Sequence, residues 1–339
     1  MIRVLARNVL SIGLAATALG GCIDLAPRYH QPAPPVPAAF PTGAAYPPSP
    51  YAARPVGPWR DYFADERLKS VIVQALANNR DLRVAVANVA AARAQYVVQR
   101  SNLFPKLNAT ADATYGQIPY SVIDGGAVTN ISGDYNERLY ALNAGVSAWQ
   151  LDLFGKVRNA TKASLETYFA TRQARDAAQI TLISQVASSW LTLGSDRALL
   201  AIARDTLKSG EATVSLTRSR LDSGVASALD VSQAETIVQQ ARYDVARLTT
   251  QVAQDRNALD LVVGAPVSED LLPADIDSTG IVLARLPAGL PSTVLLSRPD
   301  VAEAEDQLRS ANANIGAARA AFFPDISLTG SGGVTSLAL

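Results

Sequence analysis

Apolar residues recur along this chain with two different periods, and the change from one to the other marks out the elements. From Asp61 to Asn79, Leu68, Val71, Ile72, Ala75 and Leu76 return at three- and four-residue steps, which predicts an amphipathic helix. A second helical stretch, Leu82 to about Ser101, is mostly Val, Ala and Gln, and Pro105 closes it. Beyond Pro105 the period falls to two. Leu107, Ala109, Ala111, Ala113 and Tyr115 alternate with Asn108, Thr110, Asp112 and Thr114, the pattern of a strand with one apolar and one wet face. Gly116 to Asp134, which holds Pro119 and Gly125-Gly126, reads as a long polar loop. A second alternating run then sets Tyr140, Leu142, Ala144, Val146 and Ala148 on one face, with Asn143, Gly145 and Ser147 on the other.

The helical period returns after Trp149–Lys156 and persists. From about Val157 to Asp222 there is no proline, and Gly194 and Gly210 stand alone. At 1.5 Å per residue such a helix reaches roughly 100 Å. Its apolar positions are mainly Ala, which suits close packing on one side and water on another. Asp222–Ser227 is a turn. Gly224 suits a left-handed C-cap, and Ser227 with Asp230 resembles a capping box with Asp in place of Glu. The returning helix runs from Ala228 to Val263, where Gly264 and Pro266 stop it. Pro273 to Pro291 is a loop-rich link, and the chain then repeats itself. Residues 80–105 come back as 299–324: Asp81 matches Asp300, Ala85 matches Ala304, Arg100 matches Arg319, and Phe104-Pro105 matches Phe323-Pro324. Long internal duplication is common in transport proteins, each copy supplying half of a passage. A third strand begins at Ile326.

Composition narrows the function class. Formal net charge is zero, which argues against nucleic acid as a partner. One His and one Cys leave almost nothing from which to build a metal site or a disulfide framework. Neither a phosphate loop nor a zinc-protease motif occurs, and the scattered Asp and Glu read as solvated helix faces. Ser223 and Ser227 are turn and cap residues with no His beside them, so the chain is expected not to be an enzyme. The N-terminus has Arg3 and Arg7, an apolar stretch from Val9 to Leu19, and then Leu19-Gly20-Gly21-Cys22. That order predicts a signal peptide over 1–21 and an acylated Cys22; the alternative is a small core cysteine. Two or three acyl chains anchor stably where one does not. Ile23, rather than Asp, after the cysteine favours the outer membrane. Residues 22–60 form a Pro-rich strap. The two strands alone fit either an outer-membrane barrel hairpin or a soluble hairpin with one buried face, and the export signal favours the barrel.

Several runs carry a family likeness: Trp149–Lys156, Arg220-Leu221-Asp222-Ser223-Gly224, Leu229-Asp230-Val231, Gln233-Ala234-Glu235, Leu290-Pro291-Ser292, Arg298-Pro299-Asp300 and Phe322-Phe323-Pro324-Asp325. In this order the chain resembles the outer-membrane efflux protein family (TolC/OprM type), in its lipoprotein branch of tripartite RND-type efflux systems. The resemblance implies an α+β fold in which long helical hairpins build a periplasmic α-barrel. It also implies a homotrimer, each chain giving four strands to one twelve-stranded transmembrane β-barrel. The tip, carried by Arg220, Asp222, Gly224, Ser227 and Asp230, would meet a periplasmic adaptor, and an inner-membrane pump would supply the energy. The duct would pass small molecules and drugs passively, with no cofactor beyond the covalent lipid on Cys22. On this reading 61–291 is a first repeat, with a β-hairpin at about 106–150 and a helical hairpin at about 156–263, and 292–339 starts a second. The fourth strand and second helical hairpin are then missing, a C-terminal truncation, and equal halves give a complete chain of about 480 residues. Two other readings stand beside it: a duct of the same architecture for type I protein secretion, and a lipid-anchored periplasmic scaffold without a pore. The alternating strands argue against the scaffold.

Overall fold

The computed structural model describes residues 23–33, 57–124, 127–274 and 292–336, the side chains of 117–137 excepted. Met1–Cys22, Gly125-Gly126 and most of the Pro273–Pro291 link therefore lie outside the described residues. Along the chain come α1 (Glu66–Asn78), α2 (Arg80–Ser101), β1 (Leu107–Asp124), β2 (Ala127–Leu151), α3 (Lys156–Asp222), α4 (Ala228–Val263), α5 (Pro299–Ala320) and β3 (Ile326–Ser336). Two compact units interleave in sequence. A strand unit takes Met1–Gln31, Ala91–Phe169 and Glu305–Leu339, and a helical unit takes Pro32–Ala90 and Ala170–Ala304.

In the helical unit, α1 starts later than its apolar period suggests. A 3-10 turn at Trp59–Asp61 comes first, and the Asp65 side chain then accepts from the amides of Arg67 (2.7 Å) and Leu68 (3.3 Å). This N-cap satisfies two donors that the first turn leaves without helical partners. The buried face of α1, Leu68, Val71, Ile72 and Ala75, meets Leu182, Val186 and Trp190 of α3 and Leu259 and Val263 of α4. The Leu, Val and Ile side chains of this face each contribute about 1.5–3 kcal/mol on full burial. Trp190 is fully buried, and its indole N–H donates to the Leu271 carbonyl at 2.9 Å. Asn79 ties three helices: its Nδ2 donates to the Val262 carbonyl (2.7 Å), and its Oδ1 accepts from the Leu82 amide (2.8 Å). The α4 helix ends at Gly264, whose φ is 79°.

In the strand unit the three strands form one antiparallel sheet in the order β1-β2-β3. The polar stretch after Gly116 is not a loop. The ladder continues through it to the pair Asp124↔Ala127, with one register shift between Pro119 and Ser121. Gly, Pro and Asn interrupt the side-chain alternation, but backbone pairing needs none, and a bulge accommodates the missing Pro donor.

A second departure lies near Ala148. The register shifts between Val146 and Trp149, and Ala148 has φ 53°. Trp149 and Leu151 are out of phase with Val146 by alternation alone. The bulge takes up one residue, so Trp149 pairs with Leu328 and Leu151 with Ile326 on the face that also carries Val146. Ala148 is thus the hinge of a phase change rather than a member of the apolar row. That row runs across the sheet through Ala111, Leu142 and Val334, and again through Leu107 and Val146. Every residue of β3 is exposed, and Leu107, Tyr115, Leu142 and Val334 are all more than half exposed.

The duplication reappears in the element bounds. Adding 219 to Arg80, Ser101 and Leu107 gives Pro299, Ala320 and Ile326, the bounds of α5 and the start of β3. No helix among the described residues is long and apolar enough to cross a membrane.

Candidate functional site

Two places combine built geometry with exposed surface: the turn joining α3 to α4 in the helical unit, and the base of the strands in the strand unit. At the turn, the Arg220 carbonyl accepts from the amides of Val225 (2.8 Å) and Ala226 (3.3 Å), while Gly224 donates to the Leu221 carbonyl (2.9 Å). With Gly224 at φ 74° this is a Schellman ending. Ser227 then caps α4. Its Oγ accepts from the Asp230 amide at 3.2 Å, and Asp230 Oδ2 accepts from the Ser227 amide at 2.8 Å. Those bonds from the Ser227 amide and hydroxyl hold the Asp230 carboxyl below the usual carboxylate range.

Behind the turn the two helices leave a groove on each side. One, of about 600 Å³, is lined by small and apolar groups including Gly210, Val225, Ala234 and Ile237, with Arg220 and Asp230 at the turn end. The other, of about 570 Å³, is polar and holds Asp222. Two ion pairs cross it between the helices, Arg218–Glu235 and Arg242–Glu211 (3.0 Å). All five expected tip residues, Arg220, Asp222, Gly224, Ser227 and Asp230, therefore sit on one turn and its grooves. The crossing ion pairs were not legible, because they depend on the register of α3 against α4.

At the strand base, the Trp149 indole donates to the Leu103 carbonyl at 3.3 Å. Phe154 and Phe323 stack with centroids 4.5 Å apart, and Lys156 pairs with Asp325 at 2.9 Å. Phe322 beside them is 90% exposed. Cys22 lies outside the described residues, but the next residue, Ile23, donates its amide to the Leu153 carbonyl at 3.2 Å. Aromatic side chains at the end of exposed strands suit a membrane–water boundary.

Carboxyls shifted by full or partial burial occur in both units. In the strand unit, burial pushes Glu166 and Asp306 up, Arg309 offsets part of it in both, and a neighbouring carboxylate adds to it, Asp306 for Glu166 and Glu305 for Asp306. In the helical unit, burial and a hydrogen bond with Asp255 push Asp196 up. Among the described residues no group of three or more His, Cys, Asp or Glu could hold a metal ion.

A family model described as outer membrane efflux protein matches residues 71–265 and 290–339. The toluene efflux pump outer membrane protein TtgC of Pseudomonas putida is 45% identical over 333 residues, covering 97% of this chain and 67% of that protein. The cation efflux system protein CusC of Escherichia coli is 39% identical over 319 residues, covering 93% of this chain and 65% of that protein. A solved membrane protein from Pseudomonas aeruginosa superimposes with a TM-score of 0.79 at 35% identity, over 93% of this chain and 69% of that one. The open state of the Neisseria gonorrhoeae MtrE outer membrane channel gives 0.73 at 36% identity, over 93% and 68%. The chain thus spans about two thirds of the length of these relatives.

Proposed function

Because the chain belongs to the outer membrane efflux protein family, we propose that it is the channel subunit through which a tripartite efflux system discharges small molecules across the outer membrane. The family is one of efflux channels and not of enzymes. The observation that carries the reading is the sheet. Its apolar row runs through all three strands, yet β3 is exposed throughout and Leu107, Leu142 and Val334 stand open. A soluble hairpin covers one face with its own chain. A sheet that covers neither is suited to lipid on the apolar face and a wet lumen on the other.

Unpaired strand edges are costly in lipid, where each unsatisfied backbone group costs several kcal/mol. Copies of the complete protein, each giving four strands and closing edge to edge as a homotrimer, would remove that cost. Acylation of Cys22 would hold the first residues at the membrane, and the Gly224 turn would reach a periplasmic adaptor that links the duct to an inner-membrane pump. Relatives of one architecture are named for toluene and for cations. That spread supports a passive duct whose cargo is chosen by the pump, and it favours small solutes over secreted polypeptides.

The test is export in cells lacking their own outer-membrane ducts, with the gene product expressed beside its adaptor and pump. Gly224 has φ 74° and no atom within 4 Å of a built Cβ, so Gly224→Val strains the turn without a clash. Tolerance to an amphiphilic toxicant is expected to fall several-fold in the variant while trimer level and membrane insertion stay normal. Unchanged tolerance would remove the turn from the adaptor contact.

A further inference from the structure

The segment that follows Cys22 is docked on one helix, residue by residue. Arg319 Nη1 donates to the Leu25 carbonyl (3.4 Å), and Asn312 Nδ2 donates to the Pro27 carbonyl (2.9 Å). The Arg309 guanidinium lies 5.7 Å from the centre of the Tyr29 ring, and Gln31 Nε2 donates to Glu305 Oε2 (2.9 Å). Ala26 lies over Gly316, where a built Cβ would come within 2.7 Å of the Ala26 Cβ and 2.8 Å of its Cα. The helix partners are thus 319, 316, 312, 309 and 305, a single stripe at three- and four-residue steps. As the strap number rises, the helix number falls. From Leu25 to Gln31 the extended strap advances about 20 Å, and from 319 to 305 the helix advances about 21 Å, so strap and helix keep pace over the whole contact. A second helix joins in: Asn159 Nδ2 of α3, 2% exposed, donates to Asp24 Oδ1 at 2.8 Å.

The duplicate helix keeps one residue of this stripe and lacks the other four. Subtracting 219 from the five positions gives Arg100, Val97, Arg93, Ala90 and Val86 on α2. Gly316, bare where the strap crosses, corresponds to Val97, which is 56% exposed. Glu305, which receives Gln31, corresponds to Val86, which is 53% exposed. The two copies share a helix and the arginine at 100 and 319 but differ at the other four positions where the strap binds.

We propose that residues Asp24–Gln31 are a latch that recognises α5 and rejects its duplicate α2, with Gly316 as the key. The latch breaks the near-symmetry of the two copies and fixes the N-terminal end beside Leu153 at the strand base. That this end carries a lipid rests on the reading of Cys22 above; the docking does not.

Gly316→Val installs the residue of the other copy. It raises the helix propensity of α5, but a Cβ there would also come within 2.8 Å of Asn159 Nδ2 on α3, so fold measurements accompany the latch readout. The readout is trypsin cleavage after Arg28 in the purified full chain, scored by mass, beside circular dichroism and thermal melting. Gly316→Val is expected to speed that cut about tenfold or more with helix content unchanged. Asn312→Ala is expected to speed it less, and Val97→Gly to leave it alone. A folded Gly316→Val protein cut at the wild-type rate would overturn the latch. Should that variant fail to fold, an unchanged rate in Asn312→Ala would do the same. Palmitate labelling of the wild type separates the two readings: absent label removes the anchor at Cys22 and leaves the latch standing.

Discussion

Two glycines in left-handed backbone close the arms of the helical hairpin, and they differ in what surrounds them. At Gly224 a Cβ meets nothing within 4 Å, so only the backbone resists substitution. At Gly264 the φ is 79° and a Cβ would also come within 2.7 Å of the Asn78 carbonyl oxygen. Gly224→Ala is therefore expected to cost about 1 kcal/mol, and Gly264→Ala about 2–3 kcal/mol, since strain and a backbone clash add. Urea melts followed by circular dichroism measure both, and equal losses would contradict the account. The left-handed conformation of Gly224 was legible, because a C-cap is written in the few residues around it, whereas Gly264 was legible as the stop of α4. The Asn78 contact was not, since it joins residues far apart in sequence. Ala148 lies between these cases. Nothing local marks an alanine at φ 53°, but Trp149 and Leu151, out of phase with Val146, carried the signal of a bulge.

Helix α1 shows how one carboxyl couples an element to pH. Burial raises the pKa of Asp65, but the Arg67 side chain and the amides of Arg67 and Leu68 outweigh it, leaving the group below its ordinary 3.8. A carboxyl depressed in the folded state lends stability that is present above its unfolded pKa and lost as pH falls through its folded one. Asp196 is raised, by burial first and then by its bond with Asp255, so it acts in the opposite sense, its cost relieved as it takes up a proton. The acid limb of the melting curve below about pH 4 is therefore assigned to groups such as Asp65. Asp65→Asn keeps a side-chain cap and removes the titration. It is expected to flatten that limb, and a limb of unchanged steepness would contradict the assignment. Helix bounds were readable where caps and proline fix them, as for α4. The ladder beyond Gly116 was hidden, because pairing between backbones survives where side-chain alternation stops.

For the whole molecule, the order of elements and the duplication followed from periods that each stretch carries within itself. Partners distant in sequence did not: the strap on α5 and the ion pairs across the α3–α4 groove depend on which faces meet. The central claim is that the β1–β2 hairpin crosses the outer membrane while the Gly224 turn faces the periplasm. Cys22 is the only cysteine, and acylation would consume its thiol, so an introduced cysteine reports without background. Single cysteines at Ala127, where β2 begins, and at Val225, beside Gly224, are to be treated with a membrane-impermeant maleimide before and after the outer membrane is permeabilised. The account predicts labelling at 127 on intact cells and at 225 only after permeabilisation. Labelling at 225 on intact cells, or at 127 only after permeabilisation, would contradict it.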